Sequence, residues 1–279
     1  MEAGALTGRT DVSQAMECAR DLGAPWFEPF RRCAGPSDPR PAGRLDLALL
    51  TRFAAARGVR TEDGLPLRFV EVRHATAAAY EGAIGESGAV ATRTHGPGML
   101  HDWFNALAWL AFPRIKARLN RLHRDALAAS TSRTVGRGAL RDAATLLDEN
   151  GALFACRDPD LAASLRSRNW RAMFVDAREQ FAAGATVQVL GHGLCEKLLA
   201  PYKALCAHAW VVELPVDASA EHDGDALDAM VAAQLRPDAL CVAHLHPLPL
   251  LGVPGWWPAN VDPAFYDDPA VFRRARRAA

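Results

Sequence analysis

Apolar residues recur at helical spacing through most of the middle of the chain, and short apolar or alternating runs separate these stretches. The spacing, with its stop signals, predicts helices at 44–58, 75–84, 99–112, 115–124, 138–151, 160–181, from 192, and 225–235. Strands are predicted at 67–72, 152–156, 185–190 and 208–214. Because helix outweighs strand and the strands are few, the pattern predicts an α+β fold, with a small α/β layer carrying many helices as the variant.

Proline is concentrated near both ends of the chain. Five of the 18 prolines lie between Pro25 and Pro41 and seven between Pro237 and Pro269, which predicts extended or turn-rich segments there rather than helices. Both segments are rich in aromatic residues, as straps packed across a core would be. The predicted organisation is one domain with an N-terminal extension (1–43), a helix-rich core (44–236) and a C-terminal strap (237–279).

Composition narrows the class of protein. The chain has 279 residues, 32 basic against 32 acidic side chains and 50% hydrophobic residues, so it is globular and has no uniform charge field. Its six cysteines form no C-x-x-C pair, and the first residues contain no secretory apolar run. No apolar stretch reaches the ~18 residues that a membrane span needs. These features predict a cytoplasmic protein without a membrane segment.

The strongest helix, 101–112, carries polar groups among large apolar ones. On a helical wheel His101, Asp102 and Asn105 share an arc of about 100° with two aromatic rings, and the opposite arc is apolar. A helix buried on both arcs must satisfy these polar groups internally. They form either a structural network or a catalytic pocket.

Two further motifs offer groups for the same pocket. Asp148 and Glu149 end a helix, where the dipole disfavours carboxylates, so they need a partner such as a cation, an arginine or a metal. In the run GHGLCEK, His192 directly follows a predicted strand, and Glu196 lies one helical turn after His192. Glu196 can therefore orient the imidazole of His192 or bind the same metal ion. The turn is equally compatible with His192 as a helix cap. A shared site requires the rings of His101 and His192 to lie within about 8 Å, with a carboxylate between them.

A basic segment follows Pro113. Residues 114–141 contain eight Lys or Arg and one acid, Asp125, and the loop 129–138 is rich in hydroxyl groups and glycine. The loop leads into a helix N-terminus, which favours anions, although it lacks the order of residues of a P-loop. The predicted anion-binding residues are Lys116, Arg133, Arg137 and Lys197. A solvated basic surface is the alternative.

Two other arrangements are weaker candidates. His244-x-His246 resembles a pair of metal ligands on an extended segment, but prolines follow at once. Cys195 or Cys206 with His208 would be a thiol nucleophile and its base, whereas most such cysteines are inert core residues.

Four ordered motifs together resemble one protein family. They are HDWFNALAWLAFPRIKARLN (101–120), RDAATLLDENG (141–151), GHGLCEKLLAPYKALCAHA (191–209) and PLPLLGVPGWWPANVDPAFYDDPAVFRRAR (247–276). The chain from about residue 67 onward is similar to the bacterial family catalogued as domain of unknown function 3025. The resemblance implies motif positions without roles: His101, Asp102, Asn105, Trp109, Lys116, Asn120, Asp148, Glu149, His192, Lys197, Trp256 and Asn260.

The leading functional hypothesis is a hydrolase-like enzyme. Its predicted catalytic residues are His101, Asp102, Asn105, Glu149 and His192, and its candidate ligands for a divalent metal are His101, Asp148, His192 and Glu196. The predicted partner is a small-molecule or phosphate-containing ligand. The alternatives are a nucleic-acid or phosphate-binding protein that uses 114–141, and a structural protein whose aromatic strap packs on another chain.

Overall fold

The computed structural model describes residues 22–34, 43–72, 76–129, 137–215 and 224–274. Helices outnumber strands and the strands form two small sheets, so the predicted α+β class is confirmed. The α-helices in the described ranges are α1 (Glu28–Ala34), α2 (Leu47–Ala56), α3 (Ala77–Ser87), α4 (Met99–Ala111), α5 (Pro113–Ala129), α6 (Arg137–Asn150), α7 (Pro159–Ser167), α8 (Arg178–Gly184), α9 (His192–Lys197) and α10 (Gly224–Gln234). The strands are β1 (Arg68–Glu71), β2 (Ala89–Thr92), β3 (Gly151–Cys156), β4 (Ala185–Val189), β5 (Cys206–Glu213) and β6 (Leu245–Pro249).

The larger sheet has the strand order β4-β3-β5-β6. β3 is antiparallel to β4 and parallel to β5, and β6 pairs antiparallel with β5 along the edge. All six residues of β3 are buried, as expected of a central strand that read as a short apolar run. The smaller sheet pairs β1 with β2 in parallel.

Helix α4 is the buried centre of the helical layer. Of its thirteen residues, all but His101 are buried, which explains its nearly continuous apolar sequence. Phe112 has a non-helical backbone between α4 and α5, and Pro113 begins α5 at a position that needs no backbone donor. The chain therefore bends at this point. The first turn of α5 then places Lys116 in contact with Asp148 of α6.

The antiparallel pairing of β3 and β4 positions the site. Ala152 pairs with Val189, so the start of β3 lies beside the end of β4. Helix α6 runs directly into β3 and α9 begins just after β4, which brings Asp148 and Glu149 next to His192. Backbone N–H groups of Leu190 and Gly191 both donate to the carbonyl of Gly151, at 3.1 and 2.9 Å, and fix this junction.

The described parts of the two proline-rich segments pack on the core. The expectation that the N-terminal segment is not helical is wrong, because α1 includes Pro29 as its second residue. Proline is tolerated there because its missing N–H would have no intrahelical acceptor. At the other end, β6 ends in Pro247-Leu248-Pro249. Proline has no N–H to donate to a neighbouring strand, and it is tolerated here because β6 is an edge strand. The domain boundaries at 43 and 236 stay predictions.

Strand β2 was missed because Ala89–Thr92 is too short to show a period of two. None of the helices in the described ranges is long and apolar enough to cross a membrane.

Candidate metal centre

Three helix ends meet at one point on the surface of the core. The first turn of α4 carries His101, the last turn of α6 carries Glu149, and the first residue of α9 is His192. The imidazole rings of His101 and His192 have centroids 4.5 Å apart and planes at 69°. The two histidines therefore lie within the distance that a shared site requires.

A single carboxylate oxygen lies between the two rings. Oε1 of Glu149 is 3.3 Å from Nε2 of His192 and 3.7 Å from Nε2 of His101. One ligand atom from each of the three residues lies within 4.8 Å of the other two, an arrangement that can hold a metal ion. His192 is 5% exposed, while His101 and Glu149 are partly exposed, so the cluster opens to solvent on one side.

Each histidine turns its second ring nitrogen toward another carboxylate. Nδ1 of His101 lies 3.4 Å from Oε2 of Glu196, and Nδ1 of His192 lies 3.8 Å from Oδ2 of Asp148. Within the described structure Nδ1 of His192 is buried without a hydrogen-bond partner. Metal-binding histidines characteristically have a carboxylate behind the ring, which fixes the tautomer and leaves Nε2 to the metal.

A buried ion pair supports Asp148. Lys116, 4% exposed, donates a short hydrogen bond to Oδ1 of Asp148 and a second, of 2.8 Å, to Oδ1 of Asn105. Asn105 in turn donates to the hydroxyl of Tyr80 at 2.8 Å. The carboxylates at the unfavourable end of α6 are thus balanced by Lys116 and by the two histidines.

The charged groups of this cluster shift the pKa values of its side chains. Burial raises the pKa of Asp148, but the charge and hydrogen bond of Lys116, together with the nearby His192 and His123, outweigh burial and lower the pKa to about 2. For Glu149, burial is again opposed by the hydrogen bond and charge of His192, and the net pKa is lowered. The hydrogen bond with Glu196 raises the pKa of His101. The carboxylates are therefore ionised at neutral pH, the state in which they bind cations.

Glycine permits the close approach of α9 to α6. A Cβ on Gly193 would lie 2.5 Å from Oε2 of Glu149, and one on Gly191 would lie 2.6 Å from the backbone nitrogen of Gly151. The GHG motif therefore lets the His192 turn pack directly against the end of α6.

Two predicted catalytic residues lie beside the cluster rather than in it. Both oxygens of Asp102 accept hydrogen bonds of 2.8 Å from the guanidinium of Arg93, and one also accepts from the Arg93 backbone. The amide of Asn105 is held between Tyr80 and Lys116. In this arrangement both residues support the helix that presents His101.

Of the predicted anion-binding residues, the structure describes the side chains of Lys116 and Lys197, and each has a different partner. Lys116 is paired with Asp148, and Lys197 donates to Oδ1 of Asn150 at 2.8 Å. Arg133 lies outside the described residues. Arg137 begins α6, but its side chain is outside what the structure describes.

The arginines of α5 form a basic stripe (Arg114, Arg118, Arg121 and Arg124), and acidic side chains neutralise much of it. Arg118 bonds Glu62 at 2.9 Å, and Arg121 bonds both Asp63 and Asp125. Arg124 also reaches Asp63. Asp125 follows Arg121 by one turn of the same helix, but Glu62 and Asp63 come from a loop remote in sequence, so the charge run alone could not reveal their pairing.

The weaker candidates lack the required geometry. Burial raises the pKa of Cys195 well above its usual range and that of Cys206 to about 11, so neither thiol is activated. His244 lies in a single helical turn and contacts the carbonyl of Ala239, whereas His246 lies on β6. The pair is therefore not on one extended face.

Tyr80 and Arg93 belong to the surroundings of the site but were not predicted. Both lie on segments outside the four motifs, and their contacts with α4 form only through tertiary packing.

Comparison with known proteins gives one match. The family model described as "Protein of unknown function (DUF3025)" matches residues 67–276, which includes every residue of the cluster. No curated protein and no solved structure is significantly similar to the chain.

Proposed function

The chain belongs to the DUF3025 family of proteins of unknown function, and we propose that it is a cytosolic metal-dependent hydrolase. The proposed ligands of its divalent metal are Nε2 of His101, Nε2 of His192 and a carboxylate oxygen of Glu149. The observation that carries the proposal is the convergence of these atoms around one point, with a carboxylate behind each imidazole.

The spacing of the donor atoms supports a tetrahedral ion. Ligand bonds of about 2.05 Å place neighbouring tetrahedral ligands about 3.3 Å apart. Oε1 of Glu149 lies 3.3 and 3.7 Å from the two Nε2 atoms, and the three ligand atoms lie within 4.8 Å of one another, so closing around an ion needs side-chain movements of up to about 1.5 Å. Two histidines and one carboxylate are a ligand set of catalytic zinc, and soft thiolates are not part of the cluster.

Three protein ligands leave a fourth position for water. A zinc ion lowers the pKa of bound water to about 7 and so supplies hydroxide for hydrolysis at neutral pH. His101 and Glu149 are partly exposed, which gives a substrate access to this position. The residues behind them, Glu196 and Asp148 with Lys116, would orient the histidine ligands.

Metal titration of the full chain tests the ligand set. After removal of bound metal with chelator and removal of the chelator, isothermal titration with Zn²⁺ is expected to give one site. His101→Ala, His192→Ala and Glu149→Gln should each weaken binding by more than about a hundredfold, because the loss of an outer contact of a metal site already costs about ten- to a hundredfold. His244→Ala, a histidine outside the cluster, should bind like the wild type. Equal affinities for all four variants and the wild type would refute the site.

A second experiment tests the hydrolytic role. The zinc-loaded chain is assayed against panels of carboxylic esters, amides and phosphodiesters, before and after chelation. We expect one substrate class to be cleaved, with activity lost on chelation, restored by Zn²⁺ and abolished in Glu149→Gln. Stoichiometric metal binding without turnover of any class would leave a metal centre and reject the hydrolase.

A further inference from the structure

A second site lies at the opposite end of α4 from the histidines. A cavity of about 870 Å³ opens where the end of α2, the start of α5 and helix α10 meet. Ten residues of helical rise separate His101 from Ala111 at the far end of α4, so the cavity is roughly 15 Å from the candidate metal centre. Its volume is in the range of pockets for small molecules.

The lining of this cavity is strongly basic. It includes five arginines, namely Arg57, Arg60, Arg114, Arg118 and Arg236, against two carboxylates, Glu62 and Asp225, an excess of three positive charges. Asp228 and Asp238 contact these arginines from outside the lining, and with them the balance is still one positive charge.

Main-chain carbonyls hold four of these guanidinium groups in place. The acceptors are Leu110 for Arg57, Gly64 for Arg60, Asp225 for Arg114 and Leu235 for Arg118, at 2.7 to 3.1 Å. A carbonyl is neutral, so it positions a guanidinium without cancelling its charge. Carboxylates also contact four of the five arginines, and the positive excess given above is what remains after these ion pairs are counted. Each guanidinium has five N–H donors, and most of them stay available to a ligand.

We propose that this cavity binds a small phosphorylated ligand with two or more negative charges, such as a diphosphate group. Arginine matches phosphate because its planar fork donates two parallel hydrogen bonds to two phosphate oxygens. A concave cavity with arginines on several walls matches a compact anion, whereas a duplex carries phosphates along its whole length and needs an extended basic surface. Only Arg114 and Arg118 belong to the basic stripe, and the other three arginines come from elsewhere in the sequence.

Pyrophosphate is the probe for this proposal. Isothermal titration of the full chain with pyrophosphate, without added metal and in about 50 mM salt, is expected to show saturable binding at one site. Arg60→Ala and Arg236→Ala should each weaken the affinity about tenfold through loss of a charge-assisted contact. Both side chains are exposed, so these variants should fold.

Two control variants make the result specific. Arg52→Ala removes an exposed arginine of α2 that is outside the cavity and should leave the affinity within about twofold. Glu149→Gln removes a ligand of the proposed metal centre and should also leave it unchanged, so the two sites are tested separately. Absence of saturable binding, or equal losses in Arg52→Ala and Arg60→Ala, would overturn the proposal. Tighter binding of a single-stranded RNA oligonucleotide that displaces pyrophosphate would assign the surface to nucleic acid instead.

Discussion

Single residues decide how closely the groups of the candidate centre approach each other. Gly191 and Gly193 let α9 pack against the end of α6. This contact fixes the position of His192, which lies between the two glycines. The sequence indicated His101, Glu149 and His192 as chemically capable, because each lies beside a helix or strand end. It gave equal weight to Asp102, which the structure pairs with Arg93.

Gly193→Ala should separate metal binding from stability. The added Cβ would meet the carboxylate tip of Glu149 at 2.5 Å, and this flexible tip can move at small cost in folding free energy. It would also lie 3.2 Å from the backbone oxygen of Glu149, a tight contact that a shift of a few tenths of an ångström relieves. Because that tip supplies the proposed metal ligand, we expect zinc affinity to fall by about tenfold or more while the melting temperature stays nearly constant.

The comparison variant for this change is Gly138→Ala. Gly138 is also helical, but a Cβ added there would meet no other atom within 4 Å. The substitution should therefore gain up to about 1 kcal/mol of helix stability and leave zinc affinity unchanged. Unchanged zinc affinity in both variants would mean that Glu149 does not contact the metal.

The positions of helices and strands were the structural features that the sequence predicted best. Most predicted segments coincide with observed elements, since 3.6-residue periodicity and glycine or proline stops are local signals. Between elements, α5 and α6 pack so that Lys116 meets Asp148, a pairing across 32 residues of sequence. No local signal distinguishes that buried lysine from the surface arginines around it.

Lys116→Met should reveal this contact between the two helices. Removing the ammonium leaves Asp148 partly buried without its cation, and we expect the free energy of unfolding to fall by about 3 kcal/mol. Adding Asp148→Asn removes the unpaired carboxylate charge. The double variant should therefore lose less free energy of unfolding than the sum of the two single losses. Urea unfolding of the four proteins measures this coupling.

Lys197→Met is the matched control for that experiment. Lys197 is exposed and contacts Asn150, so its loss should cost less than about 0.5 kcal/mol. Strict additivity of Lys116→Met and Asp148→Asn would show that the two groups do not stabilise each other.

The N-terminal and C-terminal segments pack against each other and belong to the same core. Trp26 and Trp256 have ring centroids 6.2 Å apart, and Phe30 and Phe272 belong to the same buried cluster. Asn260 is fully buried in the C-terminal strap, where its amide donates to the carbonyls of Leu251 and Val253. Arg178 of α8 donates to the other side of the same amide, which connects the strap to the core.

Asn260→Ala should therefore destabilise the entire chain. It leaves two buried carbonyls without their donor, and we expect a loss of about 3 kcal/mol in a single cooperative transition. The neighbouring Val261 is 74% exposed, and Val261→Ala should change stability by less than about 0.5 kcal/mol. A separate early transition in Asn260→Ala, followed by unchanged melting of the core, would show that the strap unfolds independently.

The sequence alone determined the α+β class, most of the elements and the family, because periodicity, turn residues and ordered motifs are local or collinear properties. Only the tertiary structure decided which polar groups meet. The antiparallel pairing of β3 with β4 places Glu149 beside His192, and the packing of α4 adds His101. The same packing pairs arginines of the basic stripe with distant acids and gathers others around a cavity. Charge and coordination act through space over a few ångströms, and sequence separation carries little information about such distances.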